Sequence, residues 1–262
     1  MTVSTHLRSL SSGLVLAESE KASISRSITT LKARLDAYFG SSLSNHFQFG
    51  SSTRGTILPR KADVQSDIDY MVVFDTSSGG KKKPQTYLNR LKAFAETKYS
   101  TSEIAQSSPT IVLSLNHIKF ELVPAIYSYG YRIPAPGSYW DEWIPTDPSG
   151  TSQALQDKNK TENYQIKPLV RLIKYWNARK GHPFRSFSIE EYIVNRYYVG
   201  CSTLPEYFYY FWSVFSASPE FPKYVKDLVA SAKSHSSKAK QYEDDGMPVS
   251  AESEIKKIVP EM

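Results

Sequence analysis

Two aspartates separated by one residue lead into an apolar run, Asp67-Ile-Asp-Tyr-Met-Val-Val-Phe74. The apolar residues predict a β-strand, in which successive side chains point to opposite faces. Asp67 and Asp69 therefore share one face, and Ile68 and Tyr70 share the other. Two carboxylates on one face repel each other unless a cation lies between them. This pattern constrains the fold most, because it predicts a sheet that presents a divalent metal site.

A Gly-Ser pair, Gly50-Ser51, precedes the strand. If this turn opens a helix, its free backbone N–H groups can bind a phosphate. Mg²⁺ takes oxygen ligands and usually leaves room for substrate phosphates. A phosphate-binding turn followed by an Asp-x-Asp strand is the arrangement that nucleotidyl transfer requires. The alternative is a surface strand with two solvated acids. The intervening Arg54-Gly55-Thr56 and the apolar run favour a nucleotidyl-transfer site instead.

A second strand predicts a third carboxylate. Residues 110–126 read as a hairpin with its turn near Asn116-His117. On the second arm Glu121 points to the polar face, and this arm can pair beside the Asp-x-Asp strand. Glu121 alone is compatible with an ordinary strand acid. Together with Asp67 and Asp69, it predicts a two-metal site.

Apolar residues at helical spacing predict helices at both ends of the chain. Residues 1–17 and 24–38 predict one broken helix or two helices, with Gly40 as the stop. A helix over 87–95 is expected to cover the sheet, and another begins at Ile166. Residues 127–163, which include Trp140, are interpreted as the crossing between two lobes. The aromatic residues between 197 and 215 are expected to form mostly helical core.

Composition limits the function classes. The 262 residues carry a net charge of +6, which modestly favours anionic partners such as nucleoside triphosphates. Cys201 is the single cysteine, which excludes an intramolecular disulfide and is typical of a reducing cytosol. No apolar run approaches 18 residues, so we expect a cytoplasmic protein without a membrane partner. The five histidines lack metal-ligand spacing, which argues against zinc.

The Gly-Ser turn, the Asp-x-Asp strand and the later acid together resemble the polymerase-β-like nucleotidyltransferases. Over nearly its whole length the chain resembles their bacterial cGAS/DncV-like branch, the CD-NTases of the SMODS type. Phe120-Glu-Leu-Val-Pro-Ala125 is similar to a segment in which the family commonly has Asp. Glu121 departs from that pattern, although its longer side chain can still reach a metal.

Two further segments carry the resemblance. The helix over 168–177 is similar to the family helix whose lysine contacts the triphosphate, which corresponds to Lys174. The segment 184–191 is similar to a family helix start, where Ser186 corresponds to a phosphate-binding serine and Phe187 to an aromatic position. The residues alone leave alternatives open: Lys174 on a solvated basic face with Arg171, and Ser186 as a simple N-cap.

The resemblance implies an α/β (α+β) fold with two lobes. A mixed-sheet catalytic lobe with the N-terminal helices is expected over 1–150, and a helical lobe that closes the nucleotide cleft over 151–262. It also implies two Mg²⁺ or Mn²⁺ ions held by Asp67, Asp69 and Glu121. The triphosphate would be bound by Gly50, Ser51, Lys174 and Ser186, with Phe187 near the base. The implied product is a cyclic di- or trinucleotide used in anti-phage signalling.

Three other functions remain compatible with the sequence. They are template-free nucleotide addition to tRNA or another RNA, nucleotide transfer to a protein as in toxin–antitoxin systems, and nucleotide binding without catalysis. RNA addition predicts a larger basic surface than a net charge of +6 provides, so we expect no stable nucleic-acid partner. Both aspartates and Lys174 occur together, which disfavours a binding module without activity. A regulatory or effector protein is a further candidate partner.

Overall fold

The computed structural model describes residues 2–77, 79–107, 109–136 and 142–262. They form two compact units. The first, here called the sheet unit, contains residues 17–57 and 65–153. The second, the helical unit, contains residues 1–16, 58–64 and 154–262. Trp140, assigned above to the crossing between lobes, lies outside the described residues.

The sheet unit contains one mixed seven-stranded sheet. Its strands are β1 (Leu43–Gln48), β2 (Asp67–Phe74), β3 (Glu103–Ser107), β4 (Thr110–Ser114), β5 (Lys119–Tyr127), β6 (Tyr131–Pro134) and β7 (Trp143–Thr146). Five of them lie in the order β1-β2-β5-β4-β3, and β6 pairs with β5 and then with β7. The pair β2–β5 is parallel and the other pairs are antiparallel.

The predicted hairpin is confirmed. β4 and β5 pair antiparallel from Ser114 opposite Lys119, and Asn116 and His117 lie in the turn between them. The expected pairing of this arm with the Asp-x-Asp strand is confirmed as well, because β5 lies beside β2 with Asp69 opposite Glu121.

Two long helices of the sheet unit are α2 (Glu18–Phe39) and α4 (Pro84–Lys98), and α3 (Ser51–Arg54) is a single turn. Helices α2 and α4 cover the sheet face to which Ile68, Tyr70 and Phe74 point. Phe74 packs edge-on against Phe39 of α2, with ring centroids 5.4 Å apart. It also lies 4.8 Å from the ring of Tyr87 in α4. Asp67 and Asp69, which alternate with these residues, therefore point to the opposite face.

The helical unit is built around one apolar core. Its helices are α1 (Val3–Gly13), α6 (Ile166–Arg179), α7 (Ser186–Val194), α8 (Leu204–Val214), α9 (Lys223–Asp244) and α10 (Pro248–Ile258), and α5 (Pro148–Thr161) leads into them. As predicted, most rings of the aromatic segment are core: Tyr207, Phe208 and Phe211 are buried. Tyr197 is the exception, with 83% of its surface exposed.

The division into units differs from the predicted boundary at residues 150 and 151 in two segments. Residues 1–16 and 58–64 belong to the helical unit, although they precede the sheet strands or lie between them. The reason is packing, because Leu7 and Leu10 of α1 are buried in one core with Leu169 and Ile173 of α6. The N-terminal sequence predicts two helices or one broken helix, and the structure has two, with α2 ending at Gly40 (φ +50°).

The interpretation of residues 127–163 as the crossing between lobes agrees with the division into units, because the chain passes from the sheet unit to the helical unit between residues 153 and 154. The sequence patterns do not predict the regular elements of its described part. This segment forms the β6–β7 ribbon and helix α5. Leu155 and Asn159 are the only buried residues of α5, so its sequence carries almost no apolar periodicity. Helix α10, which buries Ala251, Ile255 and Ile258, was likewise not predicted. Within the described ranges, no helix has both the length and the hydropathy of a membrane span.

Candidate active site

Three carboxylates meet on one face of the sheet, at the beginning of β2 and β5. Asp67 and Asp69 are half-buried on β2, while Ile68 between them is fully buried on the other face. Glu121 of β5 is directly opposite Asp69 in the parallel ladder. Neighbouring strands lie about 5 Å apart, so the register brings the three acids together. We refer to Asp67, Asp69 and Glu121 as the carboxylate site.

The carboxylate site is electrostatically strained. Burial, and after it the charges of Asp67 and Asp69, raise the pKa of Glu121 from 4.5 to about 7. A hydrogen bond between the side chains of Glu121 and Asp67 also favours the protonated form, whereas Lys119 opposes the shift. Close to neutral pH the cluster therefore retains a proton that relieves the repulsion between neighbouring acids.

The Gly50 turn packs directly against this cluster. Gly50 has φ +76° and precedes the single-turn helix α3, and a Cβ atom built on it would overlap the carboxylate of Asp69. The backbone N–H of Phe49 donates to the carbonyl of Asp69 over 3.0 Å, which ties the turn to β2. Residue 50 must therefore be glycine for two reasons, its backbone conformation and the space that the carboxylate occupies.

The residues present fit divalent cations. The carboxylate site offers oxygen donors from two adjacent strands, which is the ligand type that Mg²⁺ and Mn²⁺ prefer. Burial is the largest cause of the raised pKa of Glu121, and the negative charges of Asp67 and Asp69 add to it. A bound cation would stabilise the deprotonated acids and reverse that shift.

The other predicted nucleotide-binding residues belong to the helical unit. Lys174 of α6 is only 6% exposed, so it does not lie on a solvated basic face. Its neighbour Arg171 donates from Nε to the carbonyl of Ser11 over 3.2 Å, and burial lowers the pKa of Arg171. The assignment of Lys174 to the triphosphate stays a prediction.

Ser186 is the first residue of α7, and the N-cap is Arg185, so the alternative of Ser186 as the N-cap is wrong. Phe187 is 49% exposed, as a residue that contacts a ligand ring could be. The roles of Ser186 and Phe187 in nucleotide binding stay predictions.

Two residues that support these segments were not singled out from the sequence. Asn177 bridges to the loop before α7: its Nδ2 donates to the carbonyl of Phe184 over 2.8 Å, and its Oδ1 accepts from the N–H of Phe184 over 3.0 Å. His46 contacts Asp36 and Tyr70, each over 2.8 Å, and so links α2, β1 and β2. Their signal in the sequence is only a polar residue within an apolar segment, which many surface residues share.

Comparison with known proteins gives consistent matches. The profile of the Second Messenger Oligonucleotide or Dinucleotide Synthetase (SMODS) domain matches residues 1–159, which include the whole carboxylate site. A probable cyclic nucleotide synthase of Bacillus cereus (strain VD146) is 29% identical over 113 residues, 38% of this chain and 34% of the relative. The CBASS oligonucleotide cyclase CdnC of Escherichia coli (strain KTE188) is 26% identical over 187 residues, 66% of this chain and 57% of the relative.

The fold also matches solved structures. CdnC of Escherichia coli MS115-1, solved with ATP, superposes with a TM-score of 0.72 at 16% sequence identity, over 99% of this chain and 98% of that one. The chain therefore has the two-lobed polymerase-β-like nucleotidyltransferase fold that its motifs predict. The two sequence matches cover 34% and 57% of the length of the respective curated relatives.

Proposed function

Because this chain belongs to the SMODS family, we propose that it is a metal-dependent nucleotidyltransferase that condenses nucleoside triphosphates into a cyclic di- or trinucleotide. The observation that carries the proposal is the carboxylate site, in which Asp69 and Glu121 are directly opposite on parallel strands beside the Gly50 turn. We further propose a cytoplasmic role in antiviral defence, because the similar CdnC of Escherichia coli is named a CBASS cyclase.

The carboxylate site would hold two divalent cations, Mg²⁺ or Mn²⁺. When bound, such a pair stabilises both the entering hydroxyl oxygen and the leaving pyrophosphate of an in-line displacement at the α-phosphate. Asp67 and Asp69 share a strand face and would contact both ions. Glu121 would complete the ligand set on the side of the attacking hydroxyl, and it must first give up the proton that it shares with Asp67.

The chain's own residues would also position the triphosphate. The Gly50 turn, which packs close to Asp69, would offer the backbone N–H groups at the start of α3 to a phosphate. Lys174 and Ser186 are proposed to contact the β- and γ-phosphates, and Phe187 to stack on a base, in line with the family resemblance. Most of the rate acceleration of nucleotidyl transfer would come from positioning the reactants and from electrostatic stabilisation of the transition state.

A regulatory protein partner is part of the proposal. CdnC of Escherichia coli MS115-1 has also been solved in a complex with HORMA-deltaN. Its chain matches 94% of this one at a TM-score of 0.69 and 16% identity. We propose that this chain also binds a regulatory protein, and that it has no stable nucleic-acid partner.

The reaction is tested with purified protein, the four labelled nucleoside triphosphates and Mg²⁺ or Mn²⁺, without primer. The products are treated with phosphatase and resolved by mass spectrometry. A cyclic oligonucleotide has no terminal phosphate, so a phosphatase-resistant species supports the proposal. If nucleoside triphosphates alone give no product and label appears on added tRNA or on a protein, the chain is a transferase of another class.

A further inference from the structure

The sheet unit contains a cavity that the proposed reaction does not use. It has a volume of about 330 Å³ and lies between α2, Tyr99 after the end of α4, and the β4–β5 turn that carries His117. Five of its residues repeat along one face of α2 at helical spacing, namely Ser23, Arg26, Ser27, Thr30 and Arg34. We call this the α2 cavity.

The α2 cavity and the carboxylate site are on opposite sides of the sheet. Helix α2 covers the face of Ile68 and Tyr70, since His46 joins Asp36 of α2 to the Tyr70 hydroxyl by two contacts of 2.8 Å. The side chains of Asp67 and Asp69 alternate with these residues and point away from α2. A ligand in the α2 cavity would therefore not occupy the proposed nucleotide site.

The charge of the lining favours an anion. Arg26 and Arg34 supply two positive charges, His117 adds an imidazole, and no carboxylate is found among the described residues that line the cavity. The Ser23 hydroxyl adds a hydrogen-bond donor to the lining, whereas the Thr30 hydroxyl already donates to the carbonyl of Arg26 over 3.0 Å. Phosphate and carboxylate groups are the usual partners of such a combination of guanidinium and hydroxyl groups.

Part of the lining is already oriented. The Arg34 guanidinium lies 4.3 Å from the centroid of the Tyr99 ring, and its Nη1 donates to the carbonyl of Lys98 over 2.7 Å. The hydroxyl of Ser27 lies 3.0 Å from Nε2 of His117. The Arg34 guanidinium and the His117 ring are thus held in place before a ligand binds, which reduces the side-chain entropy that the protein loses on binding. Arg26 is exposed at the rim.

We propose that the α2 cavity binds a small organic anion that carries at least two phosphate or carboxylate charges. The volume of about 330 Å³ is at the lower end of the range of small-molecule sites. The positively charged lining fits a compact polyanion. Because the α2 cavity and the carboxylate site lie on opposite sides of the sheet, binding at the cavity does not depend on the proposed catalysis.

Two probes distinguish the sources of the charge: inorganic pyrophosphate for phosphate and citrate for carboxylate. Binding to the purified full chain is measured by calorimetry in buffer freed of divalent cations with a chelating resin, because a dissolved chelator such as EDTA is itself a polycarboxylate. At least one probe should bind saturably, and Arg26→Gln should weaken that binding about tenfold, because it removes one charge-assisted contact. Arg34→Gln should weaken it as much, and thermal unfolding shows whether that variant stays folded.

Lys32→Gln is the matched control, because it removes an exposed positive charge from α2 outside the cavity. It should change affinity by less than about twofold. The proposal is overturned if neither probe saturates the wild type, or if Lys32→Gln weakens binding as much as Arg26→Gln. It is also overturned if Lys174→Ala abolishes binding and Arg26→Gln does not, or if a short DNA duplex binds and neither small anion does.

Discussion

At the scale of single residues, the proposed chemistry depends on how the charge of the carboxylate site is compensated. Glu121 occupies a position where the family commonly has Asp, and its pKa is raised to about 7 by burial and by two neighbouring acids. A glutamate can place its carboxylate further from the backbone than an aspartate can. The longer side chain hydrogen-bonds to Asp67 and so retains a proton until a cation takes its place.

This shift predicts a pH dependence of the metal-free protein. Glu121 binds its proton more tightly in the folded than in the unfolded chain, because the pKa is raised from 4.5 to about 7. The folded state should therefore lose stability as the pH rises from about 4.5 to 7, since only the unfolded chain releases the proton early in that window. Unfolding by urea in EDTA should show this slope in the wild type and a smaller one in Glu121→Gln.

Divalent cations should reverse the same slope. Deprotonated Glu121 is the ligand form, so the affinity for Mg²⁺ or Mn²⁺ should rise with pH up to about pH 7. Exposed Glu220→Gln is the control, and its unfolding curves should follow the wild type. Identical slopes in wild type and Glu121→Gln would show that Glu121 is not the titrating group.

Lys174 gives a second prediction at this scale. If it contacts the triphosphate, Lys174→Ala should weaken the binding of a non-hydrolysable nucleoside triphosphate by about 1.5–3 kcal/mol, roughly ten- to a hundredfold. Lys180→Ala, at the exposed C-cap of the same helix, is the control and should bind like the wild type. Calorimetry that finds equal affinities for wild type and Lys174→Ala would remove Lys174 from the site. Because Lys174 is buried, thermal unfolding of Lys174→Ala must be measured as well, to show that the variant is folded.

At the scale of elements, the site is formed by the parallel pairing of β2 and β5 together with the Gly50 turn. The period of two along β2 and β5 places Asp67, Asp69 and Glu121 on one face, so their orientation could be predicted from the sequence alone. The order of the strands depends on contacts between distant segments. The prediction that β5 pairs with β2 therefore rested on the need for a third carboxylate and on the family resemblance.

The Gly50 turn is tested by a pair of alanine substitutions. Gly50→Ala would place a methyl group where the Asp69 carboxylate lies, and residue 50 has φ +76°. Gly55→Ala also places alanine at a positive φ, +72°, but in the left-handed region with ψ +27°, and its new Cβ meets nothing within 4 Å. Gly50 has ψ −155°, a conformation essentially restricted to glycine. Gly55→Ala should therefore be destabilised by about 1–2 kcal/mol and Gly50→Ala by more, and only Gly50→Ala should lose product formation. Equal activities of the two variants would contradict the packing of Gly50 against Asp69.

Other elements could not be predicted, for identifiable reasons. Helix α5 buries little apolar surface, so no periodicity marks it. Helix α10 begins at Pro248 and buries a short face that includes Ala251 and Ile255. In the sequence, so short an apolar pattern cannot be distinguished from a polar tail. The identities of Lys174 and Ser186 as site residues came from the resemblance, because neither spacing nor charge distinguishes them from other helix residues.

At the scale of the whole molecule, each compact unit is assembled from segments that are not consecutive in the chain. α1 and residues 58–64 belong to the helical unit, so the chain enters and leaves the sheet unit more than once. Sequence patterns mark where a helix is apolar, but they do not mark which core it joins. Leu7 and Leu10 are as compatible with the sheet as with α6, and only the tertiary packing decides.

The central claim is that Asp67, Asp69 and Glu121 form a metal-dependent catalytic centre. The most direct measurement is the Mg²⁺-dependent conversion of nucleoside triphosphates by wild type, Asp69→Asn and the control Asp75→Asn. Asp75 follows β2 and its carboxylate accepts hydrogen bonds from Ser77 outside the carboxylate site. We predict that Asp69→Asn folds with unchanged or higher metal-free stability and forms no product, while Asp75→Asn keeps wild-type turnover. Full Mg²⁺-dependent turnover by Asp69→Asn would contradict the account.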